Sequence, residues 1–164
     1  MRTDELLAIL REFHRDKLTL RQRHVAVARQ VSQYDANNTY QYVINREDVH
    51  LSWLESAIVE LEGTPDTVGE PPLTRLVWNE SILPLVAQDA RDTDAFVKRW
   101  RARLDEVTHA RHRNMMNVIL GETLEQKRFF EQIAAGQDGV LGRRANGPGS
   151  PGTGDGVMGV RWIE

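Results

Sequence analysis

The sequence contains no cysteine, and this absence removes several classes of chemistry. Among its 164 residues there is no thiol for a disulfide, a thiolate metal site, an iron–sulfur cluster or a cysteine nucleophile. Long apolar runs are missing as well, since no stretch approaches the roughly 20 apolar residues that span a bilayer. The first residues, MRTDELLAIL, lack the apolar segment of a signal peptide. We therefore expect a cytoplasmic protein without a membrane partner.

An excess of charge of one sign is also missing. The 24 acids and 21 bases leave a formal net charge of −3, and both signs are mixed along the chain. A nucleic-acid-binding surface requires a clustered basic excess, so we expect no nucleic-acid partner. No glycine-rich phosphate loop follows a strand pattern, and no serine or histidine has an identifiable set of catalytic partners. The length suits one domain with a sizeable core.

Glycine and proline are absent from residues 3–62, where apolar residues recur at spacings of three and four. This periodicity predicts an all-α fold. A short helix is expected to begin at Asp4. Thr19 followed by Gln22 fits a capping box, which predicts that a second, long helical stretch begins there and ends at Gly63.

The second half of the chain repeats this plan after a linker at residues 63–73 that is rich in Gly, Pro and acids. We predict a short helix that Pro84 kinks, then caps in the segment RDTD, then a long helix from about residue 93 to 136. At an offset of 75, Val43 falls on Val118 (118 − 43 = 75) and Glu47 on Glu122 (122 − 47 = 75).

These regularities predict a helical bundle over residues 1–136, built from two repeated helix pairs at residues 3–62 and 74–136. Residues 137–164 are rich in Gly and Pro, and such a composition cannot bury enough apolar surface to offset its ordering entropy. We expect a flexible tail there. Its apolar end, VMGVRWIE, is interpreted either as a strap that docks on its own bundle or a neighbouring subunit, or as a recognition peptide for another protein.

Two segments place acids inside apolar helical stripes. VINREDVH (residues 43–50) and VILGETLE (residues 118–125) both read Val-Ile-x-x-Glu, followed three residues later by His50 or Glu125. Residues three and four apart share one face of a helix. Each pair is therefore expected on a stripe with apolar neighbours, which are Val43, Leu54 and Leu61 in the first segment and Val118, Phe129 and Ile133 in the second.

A carboxylate buried without compensation is costly, so it must be protonated, pair with a base or bind a cation. Facing helices would bring together Glu47, His50, Glu122 and Glu125. Carboxylate and imidazole ligands at this spacing suit iron or manganese. The alternative is that the histidine is a satisfied core or surface residue and that the acids pair with arginines. For that alternative, the candidates are Arg46, Arg111 and Arg128.

The segment REDVHLSWLESAIVEL resembles the second helix of ferritin-like proteins of the rubrerythrin type, and GETLEQKRFFEQI resembles the fourth. The resemblance implies an antiparallel four-helix bundle that holds a di-iron or related dinuclear centre. It implies that Glu47 and His50 form one Glu-x-x-His set, that Glu122 is the glutamate of the second set, and that Glu125 stands in place of its histidine. The family takes a further glutamate about thirty residues ahead of each motif. The nearest candidates here are Glu12, His14, His24 and Asp89.

Two functions follow as expectations. The first is a ferritin-like metal-binding protein with a di-iron or di-manganese carboxylate site for metal oxidation, metal storage or peroxide reduction. Its partners would be metal ions and other copies of the chain in a homo-oligomer, a dimer. The second is a non-catalytic helical structural or interaction protein with a degenerate metal site. Fold analogy alone gives neither an activity nor a substrate.

Overall fold

The structure, a computed structural model, describes residues 1–77 and 79–142. Within these ranges the chain forms four long α-helices, two short 3₁₀ turns and no strand, which confirms the predicted all-α class. None of the helices in the described ranges is both long and apolar enough to cross a membrane. The elements are α1 (Thr3–Ala28), α2 (Tyr34–Glu60), α3 (Leu83–Arg103) and α4 (Ala110–Ala134), with 3₁₀ turns at Leu104–Glu106 and Val140–Gly142.

The helices break at other places than the capping signals predicted. Helix α1 continues past Thr19, whose hydroxyl donates to the carbonyl of Arg15 at 2.8 Å inside the helix. Asp92 likewise lies within α3 and not at its start. A hydroxyl or carboxylate can bond within a helix as well as cap one, so these residues do not by themselves mark a boundary. The predicted short-helix, long-helix unit is therefore wrong, and the breaks fall at residues 29–33 and 104–109.

Pro84 and Gly63, which were predicted to kink and to end a helix, have different roles in the structure. Pro84 lies in the first turn of α3, where a missing amide costs nothing, and so it begins this helix and does not kink it. Helix α2 ends at Glu60, three residues before Gly63. A side chain at Gly63 would meet the end of the Leu7 side chain and crowd Ile58, so a larger residue there requires Leu7 to shift.

Contacts between side chains give the direction of each helix. Arg21 donates to Asp48 at 3.0 Å and His14 contacts Glu55 at 3.2 Å, so α1 and α2 are antiparallel neighbours.

Helix α3 is antiparallel to α1. Arg23 donates to Asp89 at 2.7 Å, and the indole of Trp100 donates to Asp16 at 2.9 Å. Later residues of α3 therefore meet earlier residues of α1.

Helix α4 is antiparallel to α2, because Arg46 pairs with Glu122 at 2.7 Å and Arg111 pairs with Glu60 at 3.1 Å. Since α2 and α3 are both antiparallel to α1, they run in the same direction. The chain must therefore return along the length of the helices between them.

The connection between α2 and α3 makes this return along the surface of α1. Asp66 pairs with Arg11 at 2.5 Å, and the carbonyl of Val68 accepts from Gln22 at 2.6 Å. Further along, Gln30 accepts from the amide of Leu76 at 2.7 Å. The chain thus forms two helix hairpins joined by one long crossover.

The core consists of two apolar clusters. One lies at the α1 N-terminal end and includes Leu10, Phe13 and Trp100. The other lies at the opposite end and includes Val27, Tyr40, Phe130 and Val140. Val140 is buried, so part of the segment predicted as a tail from residue 137 onward packs in the core. The predicted strap or recognition peptide at the end of the chain lies outside the described residues.

Candidate functional site

Between the two apolar clusters lies a set of buried polar side chains from all four helices, which we call the polar layer. Each member is at most 2% exposed to solvent. Burying so many polar groups is costly unless they pair with one another. The members of the polar layer are Lys17, His24, Glu47, His50, Thr93, Thr123 and Gln126.

Lys17 supplies a fully buried ammonium group to this layer. Its Nζ atom donates to the hydroxyl of Thr123 at 3.0 Å and to the side-chain oxygen of Gln126 at 3.4 Å. It also lies 3.2 Å from Oε2 of Glu47, in an ion pair that lacks hydrogen-bond geometry. Burial lowers the pKa of Lys17, and the nearby carboxylate of Glu47 opposes this shift.

Glu47 is shared between Lys17 and a histidine. Its Oε1 atom lies 2.5 Å from Nδ1 of His24, which is itself fully buried. Burial alone would raise the pKa of Glu47, but the electrostatic attraction of His24 and Lys17 outweighs it and lowers the pKa to about 2. Glu47 is therefore a carboxylate at neutral pH, with both oxygens facing basic groups. His24 was only one of several candidates from the sequence, and Lys17 was not among them.

His50 and Glu122 form a second contact between α2 and α4. Nε2 of His50 lies 2.5 Å from Oε2 of Glu122. Arg46 also donates to this carboxylate, from Nη2 at 2.7 Å and from Nε at 3.1 Å. Burial raises the pKa of Glu122, but these hydrogen bonds outweigh burial and lower it. The pairing of Arg46 with Glu122 is the arrangement that the arginine-paired alternative predicted.

The stripe predicted on α4 lies only partly in the core, because Phe129 and Ile133 are buried whereas its other three members are not. Val118 is 48% exposed, Glu122 is half-buried and Glu125 is exposed, where it pairs with Arg128. The stripe predicted on α2 is confirmed at Val43, Glu47, His50 and Leu54, all of which are fully buried. The structure therefore brings Glu122 to His50 but leaves Glu125 at the surface.

The repeat offset predicted from the sequence is wrong by one residue, and this explains why Glu122 and Glu125 were expected in the core. The buried positions of the two halves correspond at an offset of 76, since 123 − 47 = 76 and 126 − 50 = 76. Thr123 and Gln126, not Glu122 and Glu125, are therefore the α4 counterparts of Glu47 and His50. One residue is a rotation of about 100° around a helix. Other buried pairs at this offset are Leu10 with Val86, Lys17 with Thr93, Leu20 with Phe96, Val43 with Ile119 and Leu54 with Phe130.

The polar layer can be compared with the ligand spacing that the resemblance implies. Lys17 lies thirty residues ahead of Glu47 (47 − 17 = 30), and Thr93 lies thirty residues ahead of Thr123 (123 − 93 = 30). Both are fully buried. Lysine and threonine therefore occupy the two positions at which the resemblance to ferritin-like proteins implies further glutamates. Only Glu47 and His50 remain as carboxylate and imidazole groups of the implied pattern.

These side chains do not fit a dinuclear metal centre. The ammonium group of Lys17 lies against Glu47, and the guanidinium group of Arg46 holds Glu122. In the described ranges, no group of three or more His, Asp or Glu side chains is close enough together to hold a metal ion. The arrangement instead suits internal cations supplied by the chain. Metal binding by Glu47, His50, Glu122 and Glu125 stays a prediction.

A second buried carboxylate lies at one edge of the polar layer. Asp89 accepts from the hydroxyl of Tyr40 at 2.5 Å and from Nε of Arg23 at 2.7 Å. Burial raises the pKa of Asp89, and it also raises the pKa of Tyr40. The caps predicted in the segment RDTD would place Asp89 near a helix end, but it lies in the interior of α3. Its partners are a phenol and an arginine, which again are donors from the chain itself.

An open cleft of about 450 Å³ lies between α1, the crossover and α3. The residues that line it include the apolar Leu20, Val68 and Phe96 and the arginines Arg23 and Arg99. Both arginines already pair with carboxylates of the chain. None of the residues that line the cleft belongs to the polar layer.

The metal-free protein should lose stability as the pH falls from about 6.5 to about 4. Burial lowers the pKa of His50 to about 4, and the charges of Lys17 and Arg46 act in the same direction, against the hydrogen bond to Glu122. The unfolded chain binds a proton at its ordinary pKa of about 6.5, so acid favours unfolding in this window. We expect His50 to account for about 2–3 kcal/mol of this loss.

Urea denaturation in EDTA at pH 7 and pH 4.5 measures the effect. His50→Gln should flatten the difference between the two pH values, whereas the matched control His109→Gln, at an exposed position, should not. An equal pH dependence in wild type and His50→Gln would show that His50 titrates normally.

No protein-family model, no curated protein and no solved structure matches this chain.

Proposed function

We propose that the chain is a ferritin-like four-helix bundle with a degenerate metal site, in which the ammonium group of Lys17 stands where a metal ion would lie. Such a protein acts as a structural or interaction module and not as a redox enzyme. The observation that carries the proposal is the contact set of Lys17, which joins Glu47 on α2 to Thr123 and Gln126 on α4.

The connectivity of the helices supports the ferritin-like part of the proposal. Two antiparallel hairpins joined by a single long crossover are the arrangement that distinguishes ferritin-like bundles from simple up-and-down bundles. The crossover at residues 61–82 follows α1 along its surface, as its contacts with Arg11 and Gln30 indicate. The spacing of Lys17 to Glu47 and of Thr93 to Thr123 supports the same interpretation.

Electrostatics support the metal-free part. A divalent ion beside Glu47 would have to approach the ammonium group of Lys17 at close range, and like charges repel strongly in a medium of low dielectric constant. The lysine also removes the need for a metal, because it compensates the carboxylate directly. A buried ion pair of this kind contributes to a unique packing in some proteins, and we propose that role for Lys17 and Glu47.

Metal analysis of the full-length protein tests the proposal. The protein is purified without chelators, then incubated separately with Mn²⁺ in air and with Fe²⁺ under anaerobic conditions, and desalted before elemental analysis. We expect substoichiometric metal in every sample, because Lys17 occupies the position beside Glu47. One or two ions per chain would overturn the proposal and support the iron or manganese site predicted from the sequence.

Glu47→Gln is the matched control for this measurement. The substitution keeps the size of the side chain and removes its charge. Metal that persists in Glu47→Gln is bound elsewhere on the surface, whereas stoichiometric metal that is lost in this variant would identify Glu47 as a ligand.

A further inference from the structure

Helices α2 and α4 form an exposed face whose register is fixed by two ion pairs. Arg46 pairs with Glu122 at one end, and Glu60 pairs with Arg111 at the other. On α2, Trp53 lies seven residues from each charged residue (53 − 46 = 7 and 60 − 53 = 7), so all three share one side of the helix. On α4, Val118 lies seven residues after Arg111 and shares its side in the same way. We call this surface the Trp53 face.

The centre of the Trp53 face is apolar and open to solvent. Trp53 is 37% exposed and Val118 is 48% exposed. Gly121, on the same helix as Val118, has open space where a side chain would be. An exposed tryptophan at the centre of a surface is typical of protein interfaces, where its large ring contributes much of the binding free energy.

The charges around this centre alternate in sign. The cations Arg46 and Arg111 lie at two diagonally opposite corners, and the anions Glu60 and Glu122 lie at the other two. A two-fold axis in the plane of the face exchanges the two helices if it runs parallel to them, and exchanges the two ends if it runs across them. In both cases each cation of one copy meets an anion of the other, so the face is complementary to itself.

The four charged side chains are available to a second copy. Their side chains are 32% exposed for Arg46, 36% for Glu122, 70% for Arg111 and 50% for Glu60, so the pairs within one chain leave donors and acceptors at the surface. We infer that the Trp53 face is the interface of a homodimer, with Trp53 and Val118 at its centre and the charged corners at its rim. This homodimer goes beyond the proposed function, because its formation does not depend on whether the polar layer holds a metal.

Sedimentation equilibrium of the full-length protein tests the inference. We expect the wild type to form a dimer of twice the chain mass of 18.7 kDa. Val118→Glu should weaken dimerisation by at least about 100-fold, because it buries an unpaired charge at the centre of the interface. Trp53→Ala should weaken it through loss of the ring, and it introduces no charge that could disturb the fold.

Val59→Glu is the matched control, because Val59 is an exposed valine on another side of α2. It should leave the dimer intact. Circular dichroism checks that each variant keeps the helical content of the wild type. A wild type that stays monomeric at high protein concentration would overturn the inference. Dimers that persist in folded Val118→Glu and Trp53→Ala would overturn it as well.

Discussion

Lys17→Met should lower the free energy of unfolding by about 3–5 kcal/mol at pH 7, because it leaves the carboxylate of Glu47 buried without its cation. Methionine keeps most of the length of the side chain, so little of this loss comes from an empty cavity. Thr123 and Gln126 also lose their donor. Urea denaturation followed by circular dichroism at 222 nm measures the change.

A double-mutant cycle separates the ion pair from general effects of the substitution. Lys98→Met is the matched control, since Lys98 lies at the surface with a side chain that is 76% exposed, and its pair with Asp94 should contribute less than about 1 kcal/mol. Adding Glu47→Gln to Lys17→Met should recover much of the lost stability, because no buried charge then remains unpaired. A Lys17→Met variant as stable as Lys98→Met would show that Lys17 does not compensate Glu47.

Lys17→Glu should convert the polar layer into a metal site. The substitution places a carboxylate beside Glu47 and His24, and these three groups are ligands that suit Mn²⁺ or Zn²⁺. A glutamate side chain is shorter than a lysine side chain, which leaves room for an ion between the two carboxylates. In EDTA the variant should be strongly destabilised by two adjacent buried anions.

Added Mn²⁺ or Zn²⁺ should then restore stability, by about 2.7 kcal/mol when the free metal concentration is 100 times the dissociation constant. Thermal unfolding with and without metal measures this difference. The wild type and the surface variant Lys98→Glu should show no such response. A Lys17→Glu variant that unfolds at the same temperature with and without metal would show that the Lys17 position cannot contribute to a metal site.

The all-α class was predictable because residues 3–62 lack glycine and proline and have helical periodicity. The helix ends were not. The break at residues 29–33 contains neither glycine nor proline, whereas Thr19 has a capping signal that is satisfied inside α1. Local signals of this kind compete with tertiary packing, and packing decides the boundary.

Two of the seven members of the polar layer were predicted to be buried on one helical stripe. Glu47 and His50 lie on a stripe with Val43 and Leu54, and all four are buried as that stripe requires. On α4 the predicted register was wrong by one residue, so that Glu122 and not Thr123 was taken as the buried counterpart of Glu47. The visible repeat of Val-Ile-x-x-Glu set the offset at 75, whereas the buried positions follow an offset of 76.

Lys17 was missed although the sequence contains a signal for it. It lies four residues after Phe13 and three before Leu20, so it occupies the apolar face of α1. A lysine on such a face needs a buried anion, and Glu47 was already expected in the core. The two stripes together indicate the pair, whereas the spacing of metal ligands alone does not include a lysine.

The most direct test of the central claim is a crystal structure of the wild-type protein grown in Mn²⁺, with diffraction data collected at the manganese absorption edge. We expect Nζ of Lys17 to lie within hydrogen-bond distance of Thr123 and beside Glu47, with no anomalous peak in the polar layer. An anomalous peak bound by Glu47 and His50, with the side chain of Lys17 turned away from them, would contradict the assignment of Lys17 as the internal cation.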